Sequence, residues 1–136
     1  MKRLLLMCCV AAIAAVLVVT GLMYGDKPFA KLDATDVASA KLLILPPQKE
    51  VVIQDEKNLS ELVDILNTIK TYDTSDSGED YVGQLVRFTL TLKDGSQVSV
   101  GAYNPFLYIN EVCYKTRYGA CQRLNAFGNR LLRSLN

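Results

Sequence analysis

The chain begins with an apolar run, and this feature constrains the molecule more than any other. Residues 4–23 are 20 consecutive positions without a charge, an amide or a proline, and Lys2 and Arg3 precede them. A helix rises about 1.5 Å per residue, so about 20 apolar residues cover the roughly 30 Å hydrocarbon core of a bilayer. The run therefore predicts a transmembrane helix. Because the positive charges lie before it, we expect a cytoplasmic N-terminus and an extracytoplasmic C-terminal part.

An apolar run of this kind has three alternative interpretations as a targeting segment. A cleaved signal peptide usually has a shorter apolar region, of about 7–15 residues, and an A-x-A-like site that Val19-Thr20-Gly21 matches weakly. A lipoprotein signal needs a small residue before its cysteine, but Met7 precedes Cys8. We therefore predict a single-pass cell-membrane protein with three parts: an uncleaved signal anchor (residues 1–24), a tether (residues 25–35) and an extracytoplasmic domain (residues 36–136).

The composition of the predicted exported part excludes several functions. Residues 25–136 carry 13 basic and 14 acidic side chains, a net charge of −1, so we expect no nucleic-acid partner. The chain has no histidine, which removes the most common general base and metal ligand. It also lacks the common nucleophile motifs and a glycine-rich phosphate loop. We therefore predict a protein that is not an enzyme and that uses no cofactor and no metal.

The middle of the chain predicts two strands and a helix. Residues 36–45 and 50–54 are short apolar strands, and a pair of prolines between them cannot donate to a ladder. Asn58 followed three residues later by Glu61 is a capping-box pattern. Apolar residues at helical spacing then predict a helix over residues 59–70.

A polar and acidic stretch follows this helix. Residues 71–80 are rich in turn formers. From Asp73 onward the spacing partly matches a calcium-binding loop, but Gln84 stands where a bidentate acid is needed. We therefore predict an exposed acidic loop.

The second half of the chain predicts two hairpins and a closing helix. Residues 85–93 alternate apolar and polar side chains, and an Asp-Gly turn joins them to residues 97–103. A second hairpin joins residues 106–109 to residues 112–115, and helical spacing predicts a helix over residues 119–135. The predicted fold class is α+β. It consists of an antiparallel sheet, with a meander of about four strands plus short N-terminal strands, packed by two helices.

Cys113 and Cys121 are the only cysteines of the predicted exported domain. Outside the cytoplasm, a disulfide that closes this short loop is one alternative. Two buried free cysteines, packed as small hydrophobic side chains, are the other. The sequence leaves both alternatives open, and the absence of a Cys-x-x-Cys pair argues against redox catalysis.

Tyrosines and basic residues concentrate around the second predicted hairpin. Both types are favoured at protein interfaces, because they combine contact area with directional hydrogen bonds. Ordinary sheet tyrosines, with the ring on the core and the hydroxyl in water, are the competing interpretation. The predicted binding surface consists of Tyr103, Tyr108, Tyr114, Lys115, Arg117 and Tyr118.

Together with the N-terminal run, three stretches carry a resemblance: VVIQDEKNLSELVDILNTIK, RFTLTLKDGSQVSV and INEVCYKTRYGACQRLN. In general layout the chain resembles small membrane-anchored extracytoplasmic proteins of Gram-positive bacteria, often of unknown function. The resemblance implies the compartment and the fold class. It implies no site residues.

Three functions follow as hypotheses. The first is a non-enzymatic, membrane-anchored extracytoplasmic interaction module that binds another surface or membrane protein or a wall component. The second is a sensor or accessory subunit of a membrane complex that acts through its transmembrane helix, where small residues would let a partner helix approach. The third is a histidine-free enzyme, which would need an organised pocket around Lys115 or Cys113.

Overall fold

The computed structural model describes residues 2–74, 83–103 and 106–135, with the side chains of residues 14, 16–24 and 118 excepted. Its helices are α1 (Lys2–Tyr24), α2 (Glu56–Asn67) and α3 (Tyr118–Arg133), and a 3-10 turn covers Ala34–Asp36. Its strands are β1 (Val37–Leu45), β2 (Lys49–Ile53), β3 (Thr71–Thr74), β4 (Leu85–Leu92), β5 (Gln97–Tyr103), β6 (Phe106–Ile109) and β7 (Val112–Thr116).

The strands form one antiparallel sheet of seven strands in the order β2-β1-β4-β5-β6-β7-β3. The predicted meander is present as β4-β5-β6-β7, but the prediction of a meander of about four strands plus short N-terminal strands is wrong, because all seven strands form one continuous sheet. β1 pairs along its whole length with β4, from Val37 opposite Leu92 to Leu45 opposite Leu85. The physical reason is burial, because β1 can cover its apolar side chains only by joining the same sheet and the same core.

β3 occupies residues that the sequence predicts as the start of a loop. Thr71 pairs with Thr116 and Thr74 with Tyr114, so this polar strand covers the free edge of β7. An edge strand tolerates polar side chains, since it is selected by backbone pairing rather than by an apolar face. The rest of the predicted acidic loop, residues 75–80, lies outside the described residues.

α2 and α3 pack on the same side of the sheet and form its core with the inward side chains of the strands. Phe88 at the centre of β4 is fully buried, and its ring lies 5.6 Å from that of Phe127 on α3. α3 approaches the sheet most closely at Gly128, where a Cβ atom would lie 2.6 Å from Cγ1 of Val86. The buried face of α2 consists of Leu59, Leu62, Val63 and Leu66.

The N-terminus of α2 lies three residues before the predicted one. The carboxylate of Asp55 accepts hydrogen bonds from the backbone N–H of Asn58 and from its side-chain amide, both at 3.0 Å. Asp55 is therefore the N-cap, and Asn58 lies inside the first turn. Aspartate and asparagine are both good N-cap residues, so the capping-box spacing alone identified the wrong one.

The segment predicted as a tether packs against the domain. Asp26 and Thr71 exchange two backbone hydrogen bonds of 2.8 Å. Phe29 is buried in the core, and the side-chain amide of Asn67 donates to the carbonyl oxygens of Phe29 and Leu32 at 2.6 and 3.0 Å. Residues 26–36 are thus part of the folded unit.

The N-terminal run is helical in α1, as expected. Among the residues that the structure describes, no helix is long and apolar enough to cross a membrane. This finding corrects the predictions of a transmembrane signal anchor and of a single-pass cell-membrane localisation with an extracytoplasmic domain.

Candidate functional site

The face of the sheet opposite α2 and α3 is the first candidate site. Register places Leu43, Arg87 and Gly101 in one row across β1, β4 and β5, and the row continues through Tyr108 and Cys113. A second row runs beside the first. In it, Leu45 lies opposite Leu85 and Tyr103 lies opposite Phe106. Phe106 in turn lies opposite Lys115. We call these two rows the open face: Leu43, Leu45, Leu85, Arg87, Gly101, Tyr103, Phe106, Tyr108, Cys113 and Lys115.

Gly101 is a buried glycine in the middle of the open face. A Cβ atom there would lie 3.4 Å from Cδ1 of Leu85, 3.7 Å from Cβ of Tyr108 and 3.8 Å from Nε of Arg87. The side chains of these three residues therefore pack closely around the glycine. This packing places the guanidinium group of Arg87, a hydrogen-bond donor, near the centre of the open face.

The structure divides the predicted binding surface. Tyr103, Tyr108 and Lys115 share the open face, whereas Tyr114 lies opposite Leu107 and therefore on the helix side of the sheet. Arg117 is the N-cap residue of α3, and its guanidinium carbon lies 5.8 Å from the ring centre of Tyr72. The side chain of Tyr118 lies outside the described parts. Three of the six predicted residues thus share the open face, Tyr114 lies on the other side, and Arg117 lies beyond the end of β7.

Sequence reasoning missed several members of the open face, above all Arg87 and Phe106. The alternation of β4 already separates Arg87 from Val86 and Phe88. That pattern shows which residues share a face, but only the position of the helices shows which face packs against them.

Cys113 and Cys121 are both buried free thiols. Cys121 belongs to the core between α3 and the sheet, and its Sγ lies 3.4 Å from the carbonyl oxygen of Phe106. Cys113 belongs to the open face, so the two thiols lie on opposite sides of the sheet. Burial, with a smaller contribution from the Cys113 thiol, raises the pKa of Cys121 to about 11. A thiol with this pKa is protonated and a poor nucleophile at neutral pH.

The raised pKa of Cys121 predicts a pH dependence of stability. The folded state holds the thiol proton more tightly than the unfolded chain, so its stabilising contribution is complete below about pH 9 and is lost as the pH rises towards about 11. The quantity to measure is the difference in free energy of unfolding between wild type and Cys121→Ala. We expect the advantage of wild type to shrink by about 1–3 kcal/mol between pH 9 and pH 11. Urea titrations at pH 8, 9.5 and 11 measure it. A difference that stays constant with pH would contradict the prediction, and Cys113→Ala is the comparison variant.

An enzyme or a metal site would need several polar or ionisable side chains gathered in one place. Within residues 2–74, 83–103 and 106–135, no group of three or more cysteine or carboxylate side chains is placed to hold a metal ion. Lys115 and Cys113, the residues around which a histidine-free enzyme would need its pocket, both lie on the open face.

Comparisons with protein-family models, with curated proteins and with solved structures found no match to this chain. The resemblance to small proteins of Gram-positive bacteria therefore stays a prediction.

Proposed function

We propose that this protein is a non-enzymatic binding module and that the open face is its contact surface for another protein. The observation that carries the proposal is the arrangement of layers. α2 and α3 both pack on one side of a seven-stranded sheet, and no helix of the described chain covers the other side. An antiparallel sheet that carries its helices on one side is suited to recognition on the other, because the side chains there stand in regular rows on a rigid support.

The composition of the open face supports a protein partner. Tyr103, Phe106 and Tyr108 supply aromatic area, and Arg87 supplies a planar donor beside them. Tyrosine and arginine are enriched among residues that dominate binding energy, and aromatic rings contribute large contact areas at low entropic cost. The cations Arg87 and Lys115 favour a partner surface that carries carboxylates next to apolar groups.

The alternative of a sensor or accessory subunit acting through a transmembrane helix is not retained, because it depends on a membrane span. The interaction module does not depend on one, since its contact surface lies entirely within the sheet.

Paired variants test the proposal. Full-length tagged protein is cross-linked in its source cells, and recovered proteins are quantified by mass spectrometry for wild type and for Arg87→Ala with Tyr108→Ala. We expect at least one partner whose recovery falls about tenfold or more in this variant, equivalent to at least about 1.4 kcal/mol. Lys57→Ala with Gln122→Ala, two exposed positions on the helix layer, is the control and should keep that recovery within about twofold.

Thermal unfolding of each variant separates lost binding from lost folding. Equal recovery with both variants would show that the open face is not the contact surface. Recovery of no partner by wild type would contradict the binding function itself.

A further inference from the structure

The outer surface of the helix layer carries a second feature, a groove between α2 and α3 with a volume of about 420 Å³. Ile65, Ala126 and Phe127 form its apolar lining. The three arginines of α3 that line it are Arg123, Arg130 and Arg133, and the acidic residue on the α2 side is Glu61. We call this the arginine groove.

One of these arginines already holds a carboxylate. Nη2 of Arg130 donates to Oε2 of Glu61 at 2.6 Å, and the guanidinium carbon lies 5.1 Å from the ring centre of Phe127. This hydrogen bond lowers the pKa of Glu61 below its usual value. Both partners are substantially exposed, at 51% and 36% of their side-chain surface, so water screens the pair and its contribution to stability is small. A carboxylate from outside can therefore compete for Arg130 at small cost.

The other two arginines have no ion-pair partner among the residues that the structure describes. Nε of Arg123 donates a long hydrogen bond of 3.4 Å to the carbonyl oxygen of Gly119. No acidic residue occurs anywhere in residues 112–136. Among the described residues, the α3 side of the groove therefore carries positive charge that a carboxylate neutralises at Arg130 but not at Arg123 or Arg133.

The spacing of the arginines matches a helix. At about 1.5 Å per residue, Arg123 and Arg130 lie roughly 10 Å apart along α3, and Arg133 lies about 4.5 Å further on. A partner helix lying along the groove presents side chains at the same intervals when its acids are three and seven residues apart. Its aliphatic side chains would then contact Ile65, Ala126 and Phe127.

We propose that the arginine groove docks an acidic amphipathic helix of a partner protein, whose carboxylates pair with Arg123 and Arg133 and replace Glu61 on Arg130. The apolar lining and the acidic residue at the rim favour a peptide over nucleic acid, which is bound by longer uninterrupted runs of cations. The groove lies on the helix layer, so this proposal does not depend on the open face.

The test uses a synthetic peptide of about 20 residues, long enough to form a helix, with glutamates at i, i+3, i+7 and i+10 beside a leucine stripe. Binding to the full-length protein is measured by fluorescence anisotropy. We expect saturable binding that weakens about tenfold or more with Arg123→Ala plus Arg133→Ala, and that is lost when glutamine replaces the peptide's glutamates. Lys49→Ala plus Lys93→Ala removes the same charge from exposed positions elsewhere and should change affinity less than about twofold.

Glu61→Gln gives a result of opposite sign. This variant releases Arg130 and removes a competing carboxylate, so we expect the peptide to bind about two- to fivefold more tightly. Loss of a merely structural ion pair would not tighten binding. Absence of saturable peptide binding, or equal weakening by both double variants, would overturn the proposal. Binding of a DNA duplex but not of the peptide, with the same arginine dependence, would overturn it in favour of a nucleic-acid surface.

Discussion

Phe88→Ala is expected to lower the free energy of unfolding by about 3–5 kcal/mol, the largest effect of any single substitution proposed for this chain. Phe88 is fully buried, lies between Leu42 and Val100 in the sheet and contacts the ring of Phe127 at a tilt of 31°. Truncation removes the contact that joins the centre of the sheet to α3 and leaves a cavity between layers that are held apart by their neighbours. Since most domains are stable by only about 5–15 kcal/mol, much of the total would be lost.

Urea unfolding of the full-length protein, followed by circular dichroism, measures this effect. Thr89→Ala is the matched control, because Thr89 is the next residue of β4, faces the opposite side of the sheet and is only half-buried. It should change stability by less than about 1 kcal/mol. Similar losses for the two variants would contradict the assignment of the core to the Phe88 side of the sheet.

Gly128→Ala should also destabilise the protein, by about 1–3 kcal/mol, although alanine is the better helix former by about 1 kcal/mol. The new methyl group would lie 2.6 Å from Cγ1 of Val86 and 3.3 Å from Cδ1 of Leu42. Because both neighbours belong to the packed sheet, α3 would have to move outward or the side chains would have to leave their rotamers.

A control variant at Gly119 and a double variant with Val86 test this prediction. Gly119 lies in the same helix, and a Cβ atom there would meet no atom within 4 Å, so Gly119→Ala should be neutral or stabilising by up to about 1 kcal/mol. Val86→Ala removes the contacted methyl groups. The double variant Val86→Ala with Gly128→Ala should therefore lose at least about 1 kcal/mol less than the sum of the single variants. Strict additivity would show that the two residues do not contact each other.

Local patterns predicted the elements whose signals are local. The alternation of β4 and β5 and the Asp-Gly turn between them are confirmed, with Gly95 at φ +87°. The second hairpin is confirmed as well, and both of its turn residues, Asn110 and Glu111, adopt positive φ values of 46° and 71°. The helical spacing predicted α2 and α3 within a few residues. These features follow from interactions over fewer than about ten residues, so a reading of the chain can recover them.

The candidate sites depend on contacts between distant parts of the chain, which local patterns do not predict. The basic character of the C-terminal segment was visible, but its pairing with α2 was not, because Arg130 and Glu61 are separated by 69 positions. Likewise, the clustering of Tyr103, Tyr108 and Lys115 was visible, whereas the separation of Tyr114 from them follows from strand register. A shift of one position along a strand reverses the face on which a side chain lies.

The sequence by itself determined which side chains of each strand and helix are apolar and where most elements begin and end. Only the tertiary structure decided that β1 lies inside the sheet, that Thr71–Thr74 completes its far edge and that residues 26–36 pack on the domain. The physical reason is that periodicity encodes a face to be buried but not the surface that buries it. That choice depends on long-range pairing, in which one sheet edge or one helix face competes with all others for the same partner.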